Sequence, residues 1–192
     1  MRIKSYWFNS KREKTPQEIA GALAFVIWRI GDNALKNTRK ADFGIAIGVQ
    51  YFAFLSEFLV FLIQVADRLA YLQLSAEQRF IFTSSLVNRV AETIAENQDR
   101  LMGEGEHKQY FIDKYNQRAG EYAEFDYDSE GDKYSFTLYL AHCMREVMDQ
   151  KDINWVIDQM MSIQAPEAVA MLEKTMHDLY TPRKPRQTAG SD

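Results

Sequence analysis

The chain has 192 residues and a mass of 22.3 kDa, and 46% of it is hydrophobic, enough to bury the core of one ordinary domain and to exclude intrinsic disorder for its body. Nine Gly and four Pro are too few for the many tight turns of an all-β fold, and a single Cys excludes an internal disulfide, which fits a reducing, cytoplasmic setting. The net charge of -4 argues against nucleic-acid binding by bulk charge, but it averages an acidic body with basic ends: +6 over residues 1–40, -12 over 41–180 and +2 over 181–192.

Residues 1–14 read as a basic aromatic arm, in which Lys4, Lys11, Arg12 and Lys14 accompany Tyr6, Trp7 and Phe8. The arm lacks the apolar run and small-residue cleavage site of a signal peptide, so export by that route is not expected. Such a mixture suits nucleic acid or anionic lipid, but folding back onto the acidic body is preferred, because three adjacent aromatic rings are too apolar to leave in water.

Thr15, Pro16 and Glu18 form a capping box with Pro at the first helical position, and they predict a helix to about Lys40 with Ile19, Leu23, Val26, Ile27 and Ile30 at helical spacing. A second helix is expected from about Asp42 to Leu74. It contains the longest apolar run of the chain, Phe43 to Ile63, and would be on the order of 45 Å long. Ser75 and Gln78 make another capping box and open a third helix, which carries Phe80, Phe82, Leu86, Val90 and Ile94 and ends near Gly103. A fourth helix is expected over about Lys108 to Phe125 and a fifth over Tyr134 to Met148. Two shorter ones follow around Ile153 to Ile163 and Pro166 to Tyr180, the latter restarted by its proline. Residues 181–192 read as a disordered tail.

The second helix is apolar enough to raise the question of a membrane span. Gln50 and Glu57 weigh against it, since a carboxylate near the bilayer centre costs about 2.5 kcal/mol or more. Gln50, Glu57, Gln64 and Tyr71 recur every seven residues, with Arg68 four residues after Gln64, and so form one narrow polar stripe. A sliver of the helix facing water is the favoured account of that stripe. The rivals are an inward polar seam, with Glu57 paired to Arg29 or Arg89, and a seam between two subunits.

Other chemistry is thinly represented. Of the three histidines, His107 follows Glu104 at the Glu-x-x-His spacing of di-metal bundles but lies in a Gly-flanked loop, while His142 and His177 lack that Glu; one Cys with scattered His does not make a zinc site, and phosphate-loop, dinucleotide and nucleophile-elbow fingerprints are absent. Cys143 reads as a small buried hydrophobe. Met144, Met148, Met160, Met161, Met171 and Met176 read as core filling, with an adaptable binding groove as the rival. Asp126, Asp128, Glu130 and Asp132, with Gly131, match the opening of a calcium loop, but Thr137 stands where the closing Glu belongs, so a solvated acidic turn is favoured.

The sequence thus predicts an all-α protein, a single-domain bundle of six or seven helices spanning 15–180 around a long apolar central helix. No metal or cofactor is expected. The favoured role is non-enzymatic binding or scaffolding in the cytoplasm through protein–protein contacts, including self-association as a homodimer; nucleic acid is not favoured as a partner. The rivals are a peripheral or single-span membrane protein using helix 43–63 and the basic arm, and a small-ligand carrier or enzyme with a polar cavity at Glu57.

Overall fold

The computed structural model describes residues 14–127 and 133–180; the arm over 1–13, the segment 128–132 and the tail over 181–192 lie outside the described residues. The described chain is all-helical. Its helices are α1 (Pro16–Lys40), α2 (Val49–Tyr71), α3 (Ala76–Met102), α4 (His107–Tyr122), α5 (Tyr134–Val147), α6 (Ile153–Gln159) and α7 (Ala165–Tyr180).

Both capping boxes form as the sequence predicts. Thr15 Oγ1 accepts from the Glu18 N–H while Glu18 accepts from the Thr15 N–H, and Ser75 and Gln78 do the same for α3. Each satisfies two of the amides that a helix start leaves without internal partners.

Helix α2 begins at Val49, seven residues later than expected, because α1 ends in a turn with its own geometry. The Asp42 N–H bonds to the Arg39 carbonyl and the Phe43 N–H to that of Thr38, the two crossed bonds of a Schellman motif. Asp42 holds the left-handed position of that motif, φ 63°, where glycine is usual. The connection is pinned from α6, since Asp152 Oδ2 accepts from the Gly44 N–H at 2.9 Å. Gln50 fixes the start of α2: its Oε1 accepts from the Ala46 N–H at 2.7 Å, and its Nε2 donates to the Val147 carbonyl and to Asp149 Oδ1.

Helix α4 likewise stops at Tyr122 and not at Phe125, and the carbonyls of both residues accept from Arg68 Nη2. Between α6 and α7 there is no break. Met160–Gln164 form a π-helical turn that joins them into one rod, Ile153–Tyr180. Pro166 therefore does not restart a helix. Its ring would crowd the carbonyl four residues back, and the widened turn, which contains Ser162, relieves that contact.

The contacts above give the directions. The C-terminal end of α2 meets the C-terminal end of α4 through Arg68, so those two run parallel, whereas the N-terminal end of α2 meets the end of α5 through Gln50. Helices α1, α3, α4, α5 and α7 all pack on α2, and α1 also lies against α3 and α7, α3 against α4, and α5 against α6. Tyr122 and Phe136, with ring centroids 4.6 Å apart, close the ring between α4 and α5. The result is one compact domain, a ring of helices around α2.

This arrangement accounts for the apolar run. Fifteen of the 23 residues of α2 are buried, among them Phe54, Phe58 and Phe61, whose rings continue through Tyr122 into Phe136. By length and composition α2 is sufficient to cross a membrane, but in this fold its apolar surface is covered by protein. Gly31 allows the closest approach to it, because a Cβ there would lie 2.8 Å from Leu59 Cδ2. Met144, Met148, Met160 and Met176 are buried and fill the core, Met161 is half-buried, and Met171 is exposed.

Candidate functional site

The middle of the heptad stripe of α2, Glu57 and Gln64, does not face water. Glu57 is 3% exposed and Gln64 is buried too, so the account of the stripe as a solvent-facing sliver is corrected, and the physical reason is that the ring of helices leaves the middle of α2 no free side. The stripe is instead four different contacts. Gln50 clamps the α2 start, Glu57 is an ion-pair centre, Arg68 caps α4, and Tyr71 at the far end is exposed with Arg79 over its ring at 5.1 Å. The Gln64 amide nitrogen is buried without a hydrogen-bond partner among the described residues.

Glu57 finds its cations on α4. Arg118 donates Nε to Oε2 and Nη2 to Oε1, both at 3.0 Å, and Lys114 Nζ donates to Oε1 at 2.6 Å. The expected partners lie elsewhere, with Arg29 over the Phe25 ring and Arg89 paired with Glu92 at 3.3 Å. Arg118 also donates to Glu121 and Glu146, at 3.0 and 2.9 Å, and to the Tyr139 hydroxyl at 2.9 Å. Tyr139 in turn donates to Glu121. The residues Lys114, Arg118, Glu121, Tyr139 and Glu146 are those that sequence reasoning missed. One signal was present: Arg118 interrupts the apolar stripe of α4, between Phe111 and Tyr122, and a cation in such a stripe needs an anion facing it.

The electrostatics are those of a closed cluster. Burial works against the Arg118 charge, but its hydrogen bonds and attraction to Glu57, and the bond to Glu121, more than offset this and hold the guanidinium firmly protonated. Burial pushes the Cys143 thiol up to about 11, helped by the negative charge of Glu57. Burial and the bond to Glu121 keep Tyr139 protonated well above its usual range. Both oxygens of Glu57 accept hydrogen bonds from cations.

Two clefts can be placed among the described residues. One, of about 540 Å³, lies between α3 and α4 and is lined by Phe80, Asp67, Arg79 and Thr83. Asp67 is fully engaged there, accepting from Arg79 Nε at 3.0 Å, from Arg79 Nη2 and from the Thr83 hydroxyl at 2.6 Å. Phe80 is 73% exposed although Phe82, Leu86, Val90 and Ile94 of the same helix are fully buried. The other cleft, of about 440 Å³, lies between the α1–α2 connection and α6 and contains Asp42, Phe43, Asp152, Trp155 and Asp158.

Among the described residues no group of three or more His, Cys, Asp or Glu is placed to hold a metal. In the calcium-loop candidate, Asp126 is exposed, and Asp128, Glu130 and Asp132 lie outside the described residues. The basic residues of the arm up to Arg12 lie outside them as well. Compared with protein-family models, characterised proteins and solved structures, the chain matches none.

Proposed function

We propose that this protein is a non-enzymatic helical binding module of the cytoplasm, which acts by receiving a helical segment of a partner protein in the groove between α3 and α4. The observation that carries this reading is Phe80, a large apolar side chain 73% exposed in the lining of a cleft of about 540 Å³. The α3 face toward that cleft presents Ala76, Phe80, Ser84, Val87 and Asn88, a stripe at helical spacing, and Ile112 of α4 faces it. A lining that mixes the apolar Phe80, Val87 and Ile112 with the polar Ser84, Asn88 and Asn116 suits an amphipathic helix laid between α3 and α4. The closed state of the Glu57 cluster favours binding over catalysis, and the single free Cys143 favours a reducing compartment.

The test is site-specific photocrosslinking inside the cell of origin, with the crosslinker at Asn88 in the full chain. A discrete set of protein adducts that disappears when Phe80→Asp is added supports the reading. Adducts indifferent to Phe80, or none at all, overturn it.

A further inference from the structure

The second cleft points to assembly of the chain with itself. Trp155 is 67% exposed beside Phe43 and Ile163, and three carboxylates, Asp42, Asp152 and Asp158, share the lining with no Lys or Arg. Asp152 is engaged by the Gly44 N–H, whereas the side chains of Asp42 and Asp158 have no hydrogen-bond or ion-pair partner among the described residues. Lys40 does not line it, and Lys151 stands only at its Gly44–Asp152 corner, with Nζ 2.7 Å from where a Cβ of Gly44 would lie; Asp42 and Asp158 are not paired with it. An open indole flanked by unpaired carboxylates is complementary to a segment that is aromatic and cationic at once.

The chain itself carries such a segment. Residues 4–12 hold Lys4, Lys11 and Arg12 with Tyr6, Trp7 and Phe8, and no acid. Reach decides whose cleft that segment can enter. The arm joins the bundle at Thr15, at one end of α1, and the cleft begins at Ala41, just past its other end. The 25 residues of α1 separate the two by roughly 37 Å. From Lys14 back to Tyr6, the farthest ring, is eight residues, which span at most about 29 Å when fully extended. The aromatic triplet therefore falls short of the Ala41–Phe43 end of the cleft on its own chain.

We propose that the cleft between the α1–α2 connection and α6 receives the basic aromatic segment Lys4–Arg12 of a second copy of this chain. The contact is heterologous: each copy gives an arm at one end of α1 and offers a cleft at the other. Copies joined this way form open chains or closed rings, the smallest of which is a pair that exchanges arms reciprocally. The surface is separate from the α3–α4 groove, so the two proposals stand or fall independently.

Sedimentation velocity of the full chain over a wide concentration range, at low and high salt, tests this. The expected result is a mass that rises from the monomer to the dimer or beyond with concentration and falls as salt screens the charged contact. Trp155→Ala in the cleft and the triple change Tyr6→Ser, Trp7→Ser, Phe8→Ser in the arm should each weaken association about tenfold or more, as loss of an aromatic anchor does. Asp42→Asn with Asp158→Asn serves as the second cleft variant if Trp155→Ala fails to fold. An equimolar mixture of arm and cleft variants retains one good arm and one good cleft, and should stop at the dimer. A wild-type chain that stays monomeric at low salt overturns the proposal, as do variants that assemble like wild type or a mixture that stays monomeric.

Discussion

Arg118 holds Glu57 through two hydrogen bonds of 3.0 Å, Nε to Oε2 and Nη2 to Oε1, across the interface of α4 with the central helix. Two-point recognition of this kind fixes the rotation of α4 against α2 as well as its distance. Removing Glu57 leaves the Lys114 and Arg118 cations without the anion between them, so Glu57→Leu alone should cost about 3–5 kcal/mol in urea unfolding. The triple variant Glu57→Leu, Lys114→Met, Arg118→Met removes all three charges and should recover most of that loss. A single variant as stable as wild type would show that the pair is solvated in solution.

Stability should fall on the alkaline side. Burial holds the Cys143 thiol up at about 11, and Tyr115 and Tyr180 at about 12. Each of these groups loses its proton at lower pH in the unfolded chain than in the folded one. The folded state then binds more protons, so its advantage is intact below the unfolded values and is lost as pH rises through the folded ones. Urea midpoints should be level from pH 7 to 8 and decline from about pH 9 upward. A midpoint that rises over that interval would contradict the burial of these groups. In the same samples Cys143 should resist alkylation at pH 8 until the protein is unfolded.

Two phenylalanines two residues apart, on opposite sides of one helix, should behave in opposite ways. Phe82 is fully buried and Phe80 is 73% exposed, on the same helix α3. Phe82→Ala should cost about 3–5 kcal/mol, the transfer and cavity terms of a large core side chain. Phe80→Asp should shift stability by no more than about 0.5 kcal/mol, as a surface change does. Equal losses in thermal or urea unfolding would mean that Phe80 is covered in solution.

Asp42 occupies a left-handed backbone position, φ 63°, at the end of α1. Glycine adopts that conformation without the Cβ penalty, so Asp42→Gly should stabilise the fold by about 1 kcal/mol. The same change removes one of the carboxylates of the Trp155 cleft and should weaken self-association. Denaturation and sedimentation of one variant thus separate the residue's structural cost from its use.

Much of the fold was legible because its signals are local. A capping box lies within four residues, and Thr15–Glu18 and Ser75–Gln78 both opened helices where the sequence predicts them. The boundaries that sequence reasoning misplaced depend on distant partners. The α2 start is held by Asp152 and Val147, about a hundred residues away, and the α4 end by Arg68. Pro166 marked a helix start in the sequence, but a π-turn carried the rod past it, since a break is only one of two ways to relieve the proline.

The sequence by itself determined an all-helical chain, a central apolar helix and a heptad row of polar residues on one side of it, because periodicity records which residues share a face. Only the tertiary structure decided what that face meets. Glu57 turns inward to Arg118, 61 residues away, because five surrounding helices leave no water for it. Phe80 and Trp155 remain exposed because no helix among the described residues covers them. Spacing along one helix carries no information about which neighbour packs against it, and burial, pairing and the two clefts are all properties of neighbours.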